Sequence, residues 1–182
     1  MPRVAIIGGG PAGLMAAEVL AAADSTVNRK NIQIFESMPS VGRKFLMAGK
    51  GGMNITHSEP LADFIGRYGE RAGHIAPLLD AFGPSQLREW IHGLDIDTFV
   101  GTSGRVFPTD MKAAPLLRAW LHRLRGQGVQ FHVRHRWLGW VPDGSLRFAT
   151  PAGEIAVHAD AVILALGGGS WAKLGSDGAW VP

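Results

Sequence analysis

The 182 residues contain no cysteine. That excludes disulfides, thiolate metal ligands and redox dithiols, and it fits a reducing cytoplasm, where this chain is expected to reside. No internal repeat and no low-complexity linker occurs. A bilayer-spanning apolar run is also missing. The closest approach is "RVAIIGGGPAGLMAAEVL", Arg3–Leu20, which three glycines and Pro11 break in the middle and in which Glu18 would be stranded in lipid. No charged stretch of useful length precedes it, so neither a secretory leader nor a membrane anchor is expected. Charge is sparse, at 18% of residues, with 46% apolar residues and a net charge of +3. These are the proportions of a globular chain with a core, and the slight positive balance suits a cofactor, an RNA or an acidic substrate alike. Acidic residues vanish altogether between Met111 and Pro142.

Glycine is plentiful. There are 25, ten of them clustered at 8–13, 49–52 and 167–169, where backbone must turn tightly or approach a ligand. The first cluster sits in a legible frame. Val4–Ile7 is an apolar run stopped by glycine and reads as a buried strand. Pro11–Ala23 reads as a helix, with proline tolerated in its first turn. Ile32–Phe35 is a second strand, ended by Glu36, which completes a βαβ unit. Ser37–His57 reads mostly as loop. Helical patches are expected at Leu61–Phe64, Ile75–Phe82 and Pro84–Gly93, and two short strands about a Gly-Thr-Ser-Gly turn within Thr98–Pro108. Ala113, Leu117, Trp120, Leu121 and Leu124 recur at helical spacing, with Pro115 in the first turn. Val129–Val133 is a strand. Trp137–Val141, Leu146–Ala149 and Ile155–Val157 are separated by "PDG" and "PAG" turns, as in an antiparallel meander. The continuous run Ala161–Leu166 has the look of a strand covered on both faces.

Gly8, Gly10 and Gly13 form G-x-G-x-x-G between the first strand and the first helix. The spacing provides a tight turn, a close approach for a pyrophosphate, and close packing of helix on strand. The N–H groups at the positive helix end then face the phosphates. Glu36 follows Gly13 by 23 residues, where a carboxylate accepts from a ribose hydroxyl and repels a 2′-phosphate. FAD and NAD both satisfy this turn. The later order of helix, strand, meander and "ADAVILALGG" resembles the FAD domain of glutathione-reductase-like flavoproteins.

Four further stretches carry a more specific likeness: "GRKFLMAGKGGMNITHSEP" (Gly42–Pro60), "GRVFP" (Gly104–Pro108), "MKAAPLLRAWL" (Met111–Leu121) and "ALGGGSWAKLGSDGAW" (Ala165–Trp180). Together they resemble the BaiN/YhiN-type NAD(P)/FAD-dependent oxidoreductases, a family of bacterial flavoproteins, over essentially the whole chain. The resemblance implies an α/β fold: a Rossmann-like FAD-binding domain with a parallel sheet and a β-meander crossover. It implies FAD as cofactor, NAD(P)H as a candidate reductant, a small-molecule redox substrate and hydride transfer through the flavin. It also implies that 1–182 is an incomplete FAD domain with an inserted segment at 37–110, the N-terminal portion of a longer flavoprotein whose second domain and returning strands lie elsewhere. Alone, such a portion would hold the cofactor poorly and would not turn over.

By the same resemblance Gly8, Gly10, Pro11, Ala12 and Gly13 cradle the pyrophosphate and Glu36 holds the adenosine ribose. Gly42, Arg43 and Lys44 follow, the two cations neutralising phosphate or touching ribose. Gly49, Gly51, Gly52 and Asn54 pass beside the flavin or its linker. Trp137 offers backbone groups to the adenine, and Ala165, Gly167 and Gly168 return near the cofactor. Many relatives carry a cysteine in a "GRCN"-like stretch where this chain has Gly52-Met53-Asn54, so no thiol takes part here. Arg105 and Lys112 are the candidates for substrate-side contacts.

Other constellations are weaker. Lys112, Arg118, Arg123, Arg125, Arg134 and Arg136, interleaved with Trp120, Trp137 and Trp140, could form a basic surface for RNA, which makes a flavin-dependent reductase of an RNA base such as uridine an alternative. The plainer expectation is that the tryptophans are core and the arginines solvated. A nucleotide-binding fragment without turnover is the other alternative. The seven histidines lack metal-ligand spacing, and no metal site is expected. Ser103, Ser170 and Ser176 lack the elbow of a hydrolase nucleophile.

Overall fold

The structure is a computed structural model, and it describes residues 3–22 and 31–180. In chain order the elements are β1 (Val4–Ile7), α1 (Pro11–Ala21), β2 (Ile32–Glu36), α2 (Arg43–Ala48), β3 (Thr56–His57), α3 (Leu61–Gly66), α4 (Ala72–Ala81) and α5 (Pro84–His92). There follow β4 (Thr98–Val100), β5 (Arg105–Pro108), α6 (Ala113–Gly126), β6 (Gln130–Val133), β7 (Arg136–Trp140), β8 (Leu146–Thr150), β9 (Gly153–Val157) and β10 (Ala161–Leu164). The chain divides into two compact units, one of Met1–Phe45 with Leu121–Pro182 and one of Leu46–Trp120.

The first unit is built on a parallel sheet ordered β10-β1-β2-β6. Numbered by parallel strands alone this is 4-1-2-3, the doubly wound order, in which the connections part company between β1 and β10. Period-two alternation sorts the side chains. Val4, Ile6, Ile32 and Ile34 are buried on one face, where Gly13 of α1 lies against the Ile6 side chain and Leu14, Ala17 and Ala21 are buried. Ala5, Ile7 and Phe35 point to the other face and form one cluster with Leu146 and Phe148 of the meander β7-β8-β9. The Phe35 and Phe148 rings stack with centroids 4.4 Å apart. Each such side chain removed from water stabilises the fold by about 1.5–3 kcal/mol, so the meander takes the place that a crossover helix holds elsewhere.

The second unit combines α3, α4 and α5 with the antiparallel sheet β3-β5-β4. Ile91, Leu94, Val106, Leu116, Leu117 and Trp120 are buried in it, and Trp90 meets Trp120 edge-on at 4.7 Å. Gly49 lets its backbone close on Ala113, and the Met53 N–H donates to the Met111 carbonyl at 2.9 Å. The unit begins and ends later than the 37–110 segment expected. Residues 38–42 are tied to β2 and the glycine turn: the Met38 N–H reaches the Glu36 carboxylate and the Gly42 N–H the Gly9 carbonyl.

Three further expectations change. The loop read at Ser37–His57 contains α2, where Arg-Lys-Phe-Leu-Met-Ala are good helix formers whose signal is cut short by flanking glycines. The last parallel strand is not covered on both faces: β10 lies at the sheet edge and its Leu164 is 49% exposed. Trp140 is 53% exposed rather than core, because a bulge between Trp137 and Gly139 breaks the alternation along β7. The helix expected to reach Ala23 is seen to Ala21, and Ala23 lies outside the described residues.

Candidate functional site

A cavity of about 440 Å³ opens at the carboxyl ends of β1, β2 and β10, within the first unit. The size is that of a small-ligand pocket, and the position beside the β1–β10 switch point is where doubly wound sheets bind ligands. Gly8, Gly9, Gly10 and Pro11 form one wall, Glu36, Gly42, Arg43 and Lys44 another, with His135, Arg136 and Trp137 beyond them and Ala165, Gly167, Ser176 and Trp180 opposite.

Sequence dictates the turn. Gly8 has φ +113, and a side chain there would run into the Ala165 carbonyl. A Cβ on Gly13 would fall on the Gly8 carbonyl oxygen, so α1 reaches β1 only because that residue has none. Gly10 differs: nothing of the protein lies within 4 Å of where its Cβ would stand. What that missing side chain leaves is open cavity.

The polar groups of the turn divide into spent and free. The Gly8 N–H donates to the Phe35 carbonyl at 2.8 Å and the Gly9 N–H to Glu36 Oε2 at 2.9 Å. The Leu14 N–H is turned inward onto the Gly10 carbonyl. Pro11 has no N–H, and the first-turn N–H groups of Ala12 and Gly13 have no helical carbonyl before them. With the Gly10 N–H, which bonds no described residue, they form the electropositive end of α1. Glu36 is fixed from two sides, its Oε1 accepting from the Met38 N–H at 2.8 Å and from the Ser37 hydroxyl at 3.1 Å. A carboxylate oxygen accepts more than one bond, so this rigid acid retains acceptor capacity toward the cavity.

Among the described residues, Arg43 Nε and Trp137 Nε1 are buried donors without a partner. Native structures rarely leave such groups unpaired, and both side chains line the cavity. The open space at Gly10, the free N–H groups and these two donors fit an anionic, hydroxyl-bearing ligand such as a nucleotide. Lys44 is engaged: its Nζ donates to the carbonyls of Gly168 at 2.7 Å and Ser176 at 2.6 Å.

Below the far end of the cavity, His132 stacks on Phe35 at 4.7 Å and stands 5.5 Å from His135. Burial, and secondarily the neighbouring His135, hold the His132 imidazole below its ordinary pKa. His135 Nδ1 lies 2.8 Å from the Val133 carbonyl, which fixes the proton on that nitrogen.

The structure thus brings Gly8, Gly10, Pro11, Glu36, Gly42, Arg43, Lys44, Trp137, Ala165 and Gly167 to one cavity, with Ala12 and Gly168 directly adjoining them in the chain and Gly13 one residue further. Gly49, Gly51, Gly52, Asn54, Arg105 and Lys112 belong to the second unit and line none of it. There Asn54, in the amide orientation its neighbours require, donates to the Thr56 carbonyl, and Arg105 pairs in register with His57. Lys112 is exposed, its backbone N–H bound to Asp110. His135, Arg136, Ser176 and Trp180 were not foreseen as lining residues. The first two were within reach of topology, since whatever follows β6 emerges beside the end of β2. The basic run from Met111 to Pro142 does not form one stripe: Arg123 pairs with Glu18 at 2.8 Å, Arg125 covers the Phe131 ring and Arg136 faces the cavity. Among the described residues no three His, Asp or Glu side chains gather as metal ligands, and no helix is long and apolar enough to cross a membrane.

Comparison with known proteins agrees with this architecture. The chain is 32% identical over 180 residues to the 3-dehydro-bile acid delta(4,6)-reductase of Clostridium scindens, covering 98% of this chain and 42% of that protein. It therefore spans less than half of the relative's length. A flavocytochrome c3 fumarate reductase shares the fold at a TM-score of 0.65 and 20% identity, over 92% of this chain and 34% of that one. The 3-ketosteroid-delta4-(5alpha)-dehydrogenase of Rhodococcus jostii RHA1 does so at 0.64 and 15%, over 91% and 46%. The family model of the HI0933-like protein Rossmann domain matches residues 2–182, so the resemblance drawn from the sequence motifs holds and the chain belongs to that family.

Proposed function

We propose that the cavity holds the adenosine diphosphate half of FAD, and that the protein is an FAD-dependent oxidoreductase that reduces a carbon–carbon double bond conjugated to a ketone. The observation that carries the first part is the shared cavity: free N–H groups at the start of α1 and a fixed Glu36 carboxylate face the same space. The acceptor class rests on the relative, whose name specifies reduction of double bonds in a 3-dehydro bile acid, where the nearer bond lies in conjugation with the 3-ketone.

In this reading each residue has a defined task. The N–H groups of Gly10, Ala12 and Gly13 and the positive end of α1 receive the diphosphate. Arg43 adds the charge-assisted donor that burial has left unpaired. Glu36 accepts from a ribose hydroxyl while Gly9 and Met38 keep its carboxylate from turning. Trp137 and His135 border the space left for the base. Bound FAD supplies the two-electron chemistry, and NAD(P)H is the reductant the family resemblance implies. The contribution of this chain is to grip, orient and screen.

The test uses the full-length protein. It should take up FAD and show the visible absorption of oxidised flavin. After anaerobic reduction, mixing with a 3-keto-Δ4 steroid should restore that absorption, whereas the saturated ketone should not. A uracil ring in RNA carries the same conjugated motif, so reoxidation by RNA alone would move the substrate to the alternative class. Failure to take up FAD would overturn the whole reading.

A further inference from the structure

Residues 167–180 close one side of the cavity, with Leu174, Gly175, Ser176, Asp177 and Trp180 on its wall. The segment has no core of its own. None of its residues is buried, Trp171 and Trp180 are more than half exposed, and its regular structure is one 3₁₀ turn at Ala172–Leu174. Such a stretch lies at the low-stability end of a fold, held by polar contacts rather than apolar burial. Trp180 Nε1 donates to the Gly167 carbonyl at 2.9 Å and to Ser176 Oγ at 3.2 Å, a tie made within the segment. A tie to the rest of the unit is Lys44, which spans 124 and 132 residues of chain to reach the carbonyls of Gly168 and Ser176. One ammonium thereby joins both limbs of the segment to the start of α2. Hydrogen bonds from a charged donor are about twice as strong as neutral ones, and this pair is short.

We propose that residues 167–180 are a gate over the cavity and that Lys44 is its latch, a positioning residue and not a ligand to phosphate. The latch stands on the geometry alone; its consequence for ligand retention rests on the nucleotide reading of the cavity. A lysine serving phosphate would direct its ammonium to the N–H groups at the start of α1, whereas this one donates to two backbone carbonyls.

The experiment is hydrogen exchange on the full-length protein without nucleotide. In Lys44→Met the amides of Leu174 and Gly175, which close the 3₁₀ turn, should exchange roughly ten- to a hundredfold faster, while amides of β1 and β2 keep their rates. Lys44→Arg should restore most of the protection, since a guanidinium also serves two carbonyls. Unchanged exchange in Lys44→Met would overturn the proposal, because a ligand to phosphate has no effect before phosphate arrives. If that variant fails to fold, Trp180→Phe removes the tie within the gate and should raise exchange at the same amides; no change there would count equally against it. ADP and adenosine should then leave Lys44→Met faster by a common factor. Selective loss of ADP retention would return Lys44 to the phosphate. If wild-type protein binds neither compound, the nucleotide reading falls, while the exchange result still decides the latch.

Discussion

Substituting Gly10 by alanine separates binding from folding. Gly10 caps α1 with φ −80 and ψ −177, an extended conformation open to any residue, and its Cβ would meet no protein atom within 4 Å. The folded state is therefore unstrained, and the stiffer unfolded chain favours Gly10→Ala by about 0.4–1 kcal/mol. For a chain of this size that raises the melting temperature by about 1–4 °C. Binding should move the other way. The new methyl stands in the space where a diphosphate must approach the first-turn N–H groups, and loss of one charge-assisted hydrogen bond costs about 1.5–3 kcal/mol. The expected result is an ADP affinity about ten- to a hundredfold weaker, measured by calorimetric titration, with unchanged circular dichroism. The control is Gly13→Ala, whose Cβ would fall on the Gly8 carbonyl oxygen. It should lose on the order of 3 kcal/mol or more, or fail to fold. Wild-type ADP affinity in Gly10→Ala would refute the path assigned to the diphosphate. Wild-type stability in Gly13→Ala would refute the account of how α1 docks on β1.

Glu36→Gln sets an amide nitrogen against either the Gly9 or the Met38 N–H, so it should cost about 1–3 kcal/mol of stability in denaturant titration and weaken adenosine binding as well as ADP. Arg43→Ala should leave adenosine affinity alone and weaken ADP, the signature of a phosphate contact in parallel titrations. His132 is held neutral by burial beside Phe35 and His135, so its folded pKa lies below the unfolded one. As the pH drops below the ordinary imidazole value, the unfolded chain takes up a proton that the folded one refuses. Stability falls toward the lower folded value, and His132→Phe should flatten that slope in urea midpoints measured across the range. In the second unit the bidentate Arg67 contact keeps the Glu59 carboxyl below its usual pKa. Its contribution is present above the ordinary carboxylate value and is lost on acidification, a pH dependence that Glu59→Gln should reduce.

Legibility in the sequence followed distance along the chain. The β1–α1–β2 unit, its glycines and Glu36 were readable because each piece is a local pattern: an apolar run, a turn chemistry, a strand end. The meander was readable from its two turns. The apolar run of β10 misled for the opposite reason, since four apolar residues look the same at a sheet centre and at an edge, and only strand order decides between them. Trp140 misled because one bulge reverses the phase of every residue beyond it. The motif points Lys44 at phosphate or ribose, and the structure sets its ammonium on two carbonyls at the cavity wall. A charge in a glycine-flanked motif announces an oxygen ligand without saying whose, and here the nearest oxygens are backbone carbonyls brought in from β10's exit loop. The glycines of that loop read as a place of close approach to a ligand. In the fold Gly167 lines the cavity while the Gly168 carbonyl also accepts from Lys44, so the cavity acquires its fourth wall from a contact that no local pattern encodes.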